Sequence, residues 1–160
     1  PPIDQNFLER EIELVRSLDS SRPVVVTDSG ELSTWLPAAE LGDILGISMY
    51  RVVWLKFFGY LYYPITPGFY RYRAEAIRNV TDRVIITELQ VEPWVTKAIP
   101  EVPLADQYKS MDLKRVRSNI VFARRAGLSE VYVWGIEWWY WLLKQGEPQI
   151  WEYGKSVFKP

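Results

Sequence analysis

Apolar positions in this chain follow two periods, and they divide it into alternating elements. From Asp4 to about Leu18 they recur at Phe7, Leu8, Ile12, Val15 and Leu18, one face of a helix that Asp4 and Asn6 cap. Asp19-Ser20-Ser21 breaks that helix. Arg22-Pro23 then leads into Val24-Val25-Val26-Thr27, a β-branched run expected to form a buried strand. Asp28 to Glu31 is loop, and Leu36 to Leu41 a short helix with Pro37 in its first turn. Asp43 to Tyr50 is a second strand. Arg51 to Pro67 is an insertion rich in Trp, Phe and Tyr, followed by a helix over about Gly68 to Asn79. Arg83 to Glu88 is a third strand, and Leu89 to Ala105 a long loop containing Pro93, Pro100 and Pro103. One long amphipathic helix is expected from Asp106 to Ala126, with Leu113, Val116, Ile120 and Ala123 inward and Gly127 as its C-cap. Ser129 to Gly135 is the fourth strand. A loop and a last helix, Pro148 to about Phe158, complete the pattern.

Short apolar strands separated by helices predict an α/β fold with a parallel sheet of four βα units in one domain spanning 1–160. The segments after the strands are long, aromatic and carry carboxylates. The turns before them are plain: Asp19-Ser20-Ser21, Gly42, Thr81-Asp82 and Gly127-Leu128. That asymmetry suits a barrel with its site at the carboxyl ends of its strands. An open doubly wound sheet also binds ligands there, but no Gly-rich phosphate loop follows any of these strands.

Composition narrows the chemistry. With 160 residues, 48% of them hydrophobic and 24% charged, the chain has enough apolar material for a core. Its 19 basic and 20 acidic residues leave a net charge of −1, so no basic field points to nucleic acid or an anionic membrane. The longest uncharged stretch, Phe57 to Tyr70, is 14 residues with two prolines, too short and broken to span a bilayer. Cys and His are both absent, which removes disulfides, thiolate and imidazole metal sites, and His-based nucleophilic catalysis. No cofactor or metal is expected, and any acid or base must be Asp, Glu, Lys or Tyr. Pro1-Pro2-Ile3 carries no leader pattern, which leaves open a leader lost upstream.

Glu88 stands out, because it ends the strand of Val84, Ile85 and Ile86, where burial makes charge costly. Tyr50 and Trp134 end the neighbouring strands. A hydroxyl able to bond the carboxylate and an indole floor suit a sugar ring stacked on one face with charge beneath its anomeric carbon. Pairing of Glu88 with a nearby Arg is the structural alternative.

These segments resemble the second half of a clan A glycoside hydrolase, the retaining (β/α)8 enzymes that include cellulases, mannanases and β-galactosidases. Val84-Ile85-Ile86-Thr87-Glu88-Leu89-Gln90 resembles their seventh strand with its nucleophile Glu. Ile47-Ser48-Met49-Tyr50 resembles the sixth, whose Tyr contacts that nucleophile. Tyr132-Val133-Trp134-Gly135 resembles the eighth with its subsite Trp, and Val24 to Asp28 falls at the fifth. The resemblance implies a TIM-barrel half, strands five to eight, carrying catalytic Glu88 and substrate-binding Tyr50 and Trp134; Glu137 and Trp138, which closely follow Trp134, are expected from their position to be further substrate-binding residues. It implies an oligo- or polysaccharide substrate. It departs from the clan at Ser48, where a His is common, and the acid/base Glu of a fourth strand has no counterpart here.

Other acids compete for that second role. Glu92, Asp28 and Glu31 read as solvated loop charges, and Glu137 is preferred because Trp138 and Trp139 could desolvate it. The insertion aromatics, Trp54, Phe57, Phe58, Tyr60, Tyr62 and Tyr63, read as a carbohydrate platform, a packed lid or a contact patch. Two functions follow: the nucleophile half of a glycosidase, inactive or weak alone, or a non-catalytic carbohydrate-binding or scaffold half barrel. Open sheet edges imply a partner, either a complementary N-terminal half or a second copy.

Overall fold

A computed structural model describes residues 4–158. Its centre is a parallel sheet of β1 (Val25–Asp28), β2 (Ile44–Met49), β5 (Val84–Gln90) and β6 (Val131–Trp134), in chain order. The protein is therefore a mixed α/β fold whose four-stranded parallel sheet is compatible with half of a (β/α)8 barrel. β3 (Val52–Leu55) and β4 (Gly59–Tyr62) form a separate antiparallel hairpin, with Trp54 opposite Tyr60. This hairpin is the aromatic insertion.

Helices cover one face of the sheet. Val26, Leu45, Ile47, Ile86 and Leu89 join one apolar cluster with Val116, Ile120 and Ala123 of α5 (Leu113–Ala126) and Trp138, Trp139 and Leu142 of α6 (Ile136–Lys144). Alternate positions of the two outer strands stay open: Val25 and Thr27 on β1, Tyr132 and Trp134 on β6. The remaining α-helices are α1 (Gln5–Leu18), α2 (Leu36–Leu41), α3 (Pro67–Ala76), α4 (Leu104–Ser110) and α7 (Gln149–Val157), and Ile99–Glu101 is a single 3-10 turn.

Two expectations are corrected. The single helix expected over Asp106 to Ala126 is two helices, broken at Met111-Asp112. Met111 is extended and fully buried, while the Asp112 carboxylate accepts the Arg115 N–H at 2.8 Å and restarts the helix as its N-cap. The segment after Trp134, expected as loop, contains α6. Gly135 at φ 104° turns the chain into it, and the sequence Ile136 to Lys144 hides its amphipathic period because nearly every residue is apolar.

Candidate functional site at the carboxyl end of the sheet

Tyr50 directly follows β2, and Glu88 lies two residues before the end of β5. The register between these strands slips by one: Ile47 pairs with Ile86, but Ser48 pairs with Glu88. Thr87 is the extra residue of a β-bulge. Strand alternation puts residues two apart on one face, so from Ile86 it would send Glu88 towards the helices. The bulge reverses this and returns Leu89 and Val91 to the helix-facing core. The Tyr50 hydroxyl donates to Glu88 Oε2 at 2.9 Å. Burial, then that bond and Glu88's charge, push the phenol's pKa well above its ordinary value, with Glu92 and Glu31 adding to it. The phenol is thus a donor across neutral pH, set among three carboxylates.

The backbone around Tyr50 is held from both sides. Before it, Glu31 Oε1 accepts the Tyr50 N–H at 2.9 Å and the Tyr70 hydroxyl at 2.8 Å. Glu31 is not the solvated charge expected from its place in the loop after β1. Burial raises its carboxyl pKa, while the bonds from Tyr70 and Tyr50 and the charge of Arg51 oppose the rise. Its loop packs so closely that a Cβ on Gly30 would lie 2.0 Å from the Ser48 carbonyl oxygen. After Tyr50, Gln90 pairs with the chain as a neighbouring strand would. Its Oε1 accepts the N–H groups of Arg51 and Val52, each at 3.0 Å, and its Nε2 donates to the Val52 carbonyl at 2.9 Å. Gln90 is 1% exposed. Sequence reading missed Gln90 as a site residue, and its one signal is a lone amide in an otherwise apolar strand end.

The raised pKa of Glu31 has a sign. The folded chain holds this proton more tightly than the unfolded chain, where a Glu titrates near ~4.3. Stability contributed by the neutral carboxyl is present below that pH and is lost as pH rises towards the higher folded value. Glu31→Gln keeps an oxygen for both donors and removes the titration. The stability of Glu31→Gln relative to the parent should therefore increase from about pH 4 towards neutrality, read as urea midpoints in matched buffers. A constant difference would contradict the burial of this carboxyl.

Trp134 leads to a different acid from the one expected. Its indole Nε1 donates to Glu92 Oε1 at 3.0 Å. Burial raises the Glu92 pKa, Glu137's charge adds to the rise, and the Trp134 bond opposes it. Gly135 is required beside it, since a Cβ there would meet Glu92 Cβ at 2.3 Å. Tyr50, Gln90, Glu92, Trp94 and Trp134 line a cleft of about 230 Å³, closed by Pro93, Val95 and Ile99. Glu88 bonds to one wall of this cleft without lining it.

The other expected contacts lie elsewhere. Glu137 is exposed in the first turn of α6, so Trp138 and Trp139 do not desolvate it. Trp138 is 2% exposed, and its indole donates to Gln107 Oε1 at 2.6 Å. It is a core residue with no free face for a sugar. Trp139 is likewise buried and donates to the Val91 carbonyl. Among the described residues no three Asp or Glu side chains gather as a metal would require. No described helix is long and apolar enough to cross a membrane.

No family model matches the chain. No curated protein matches it either. Among solved structures it is similar to a GH2 β-galacturonidase from Eisenbergiella tayi, solved bound to galacturonate, at 17% identity and a TM-score of 0.48. The match covers 81% of this chain and 22% of that one, so the chain spans about a fifth of that protein's length.

Proposed function

We propose that this chain carries the nucleophile half of a retaining glycosidase, with Glu88 as the nucleophile. The observation that carries the reading is the 2.9 Å bond from Tyr50 to Glu88 at the carboxyl end of a parallel sheet. A Glu88 oxygen attacks the anomeric carbon, and the bond from that carbon to the leaving oxygen breaks. The leaving oxygen takes a proton from a second carboxyl, and water then hydrolyses the glycosyl ester. Tyr50, fixed by Glu31 and Gln90, orients one carboxylate oxygen so that the other is free to attack. Trp134 and Trp94 offer indole faces to the sugar.

The same proposal includes a partner. β1 and β6 are the outer strands of the four-stranded sheet, and Val25, Tyr132 and Trp134 are exposed beside them. Such edges and faces invite pairing. A complementary half barrel would cover them and bring the proton-donating carboxyl, and a second copy of the chain would cover them without it. Light scattering at micromolar concentration should report a dimer or a complex. A monodisperse 18.8 kDa monomer, both alone and with a complementary half supplied, would contradict the partner.

A leaving group that needs no proton isolates the nucleophile. A panel of 2-deoxy-2-fluoroglycosyl fluorides should esterify the chain, and peptide mass mapping should place the added mass on Glu88. Labelling elsewhere, or none across the panel, removes Glu88 from this role. The non-catalytic carbohydrate-binding reading then takes its place.

A further inference from the structure

We infer a second carbohydrate subsite in the cleft between the β3–β4 hairpin and the segment Trp94–Pro103, one that takes a neutral sugar unit next to the one held at Glu88. The inference rests on the proposed function for the class of ligand. The cleft itself is independent of any catalysis. It measures about 330 Å³, within the range of small-molecule sites.

Three aromatic rings wall the cleft. Trp54 of β3 and Tyr60 of β4 meet edge to face at 4.9 Å, and Trp94 stands across from them. The Tyr60 hydroxyl donates to the Trp94 carbonyl at 3.3 Å, tying hairpin to segment. Gln90 pins the hairpin's base, so the platform is fixed relative to Tyr50. Despite their size, Trp54 and Trp94 remain 39% and 38% exposed. Large flat rings left open inside a concavity are what the C–H face of a pyranose requires.

Charge at the cleft decides the kind of sugar. Lys97, Lys109, Glu101 and Asp106 are its charged lining residues, and Lys109 is already paired with Asp106 at 2.6 Å. The lining charges sum to zero, so nothing in the cleft selects an anion or a cation, while donors and acceptors for hydroxyl groups are plentiful. The ligand is therefore a neutral glycoside.

Position links the two clefts. Trp94 and Val95 line both this cleft and the one formed by Tyr50, Glu92 and Trp134. Trp94 also packs edge-on against Tyr50, with ring centres 5.6 Å apart. One indole thus forms the boundary between two adjoining sites, the arrangement needed to bind consecutive units of one chain.

The test is calorimetry on the full chain with neutral cello-, manno- and xylo-oligosaccharides of one to six units. Affinity for at least one series should rise with length. Trp54→Ala should lower affinity for the longer members about 10-fold and leave the monosaccharide unchanged, as loss of one stacking ring predicts. Because Trp54→Ala could loosen the hairpin, the exposed rim variants Lys97→Ala and Glu101→Ala serve as a second probe, each weakening the longer members alone. Length-independent affinity, no binding at all, exclusive binding of uronate oligosaccharides, or unaltered affinity in all three variants would overturn the subsite. Glycosyl-fluoride labelling at Glu88 without a length effect overturns the subsite and leaves the glycosidase reading standing. Trp54-dependent length effects without labelling do the reverse.

Discussion

Glu88→Gln should abolish glycosyl-ester formation by the chain and turnover of an aryl glycoside by the complete assembly. Gln keeps the size of Glu and can still meet the Tyr50 hydroxyl through its carbonyl oxygen, so the bulge and its contacts should persist. What it lacks is a carboxylate able to form the ester. Loss of a covalent nucleophile costs on the order of 10⁴–10⁶-fold in turnover. Tyr50→Phe should cost less, because it leaves the nucleophile in place and removes only one orienting bond. The measurements are initial rates with a nitrophenyl glycoside and, in parallel, mass spectrometry of the fluoride-treated protein. Residual activity in Glu88→Gln within tenfold of the parent would exclude Glu88 as nucleophile.

Gln90→Leu should be the more damaging change to the fold. The side chain keeps nearly the same volume, so packing against β5 is not what is lost. The variant leaves the N–H groups of Arg51 and Val52 and the Val52 carbonyl without partners around a residue that is buried. An orphaned buried backbone group costs about 1–3 kcal/mol, and with three of them the expected loss is roughly 3 kcal/mol or more. Water reaching the half-buried Arg51 would reduce that figure, and the buried Val52 allows no such relief. Urea unfolding should read this as a lowered midpoint at unchanged slope. A loss below about 1 kcal/mol would mean that the hairpin does not depend on this amide. The hairpin carries Trp54 and Tyr60, so the same variant should weaken long oligosaccharides more than monosaccharides.

Much of the architecture was legible in the chain. Val24–Thr27, Asp43–Tyr50, Arg83–Glu88 and Ser129–Gly135 are strand-length segments with apolar centres, and the turn before each holds Asp, Ser or Gly. Those boundaries and the helical periods between them are local properties, which is why four parallel strands in chain order follow from them. A pairing of Glu88 with Tyr50 was also legible, since a carboxylate at the end of an apolar strand needs a partner. Their 2.9 Å contact depends on a feature that was not. With Val84, Ile85 and Ile86 all apolar, alternation carries no information on which face Glu88 takes. Only pairing with β2, through the bulge at Thr87, settles it.

The remaining differences share a cause. Glu31, Gln90 and Glu92 are loop or strand-end polar residues whose chemistry depends on partners 19 to 42 positions away. Trp138 and Trp134 are the same residue type four positions apart, yet one is sealed against Gln107 and the other is open beside Glu92. The break at Met111 has no Gly or Pro to announce it. It arises because Ser110 takes the Trp94 N–H and Met111 is drawn into the core. Residue type and local period thus determined which segments become strands and helices. Burial and long-range pairing, which exist only once the chain is folded, decided which carboxylates are held, which indoles are open and which of them share a cleft.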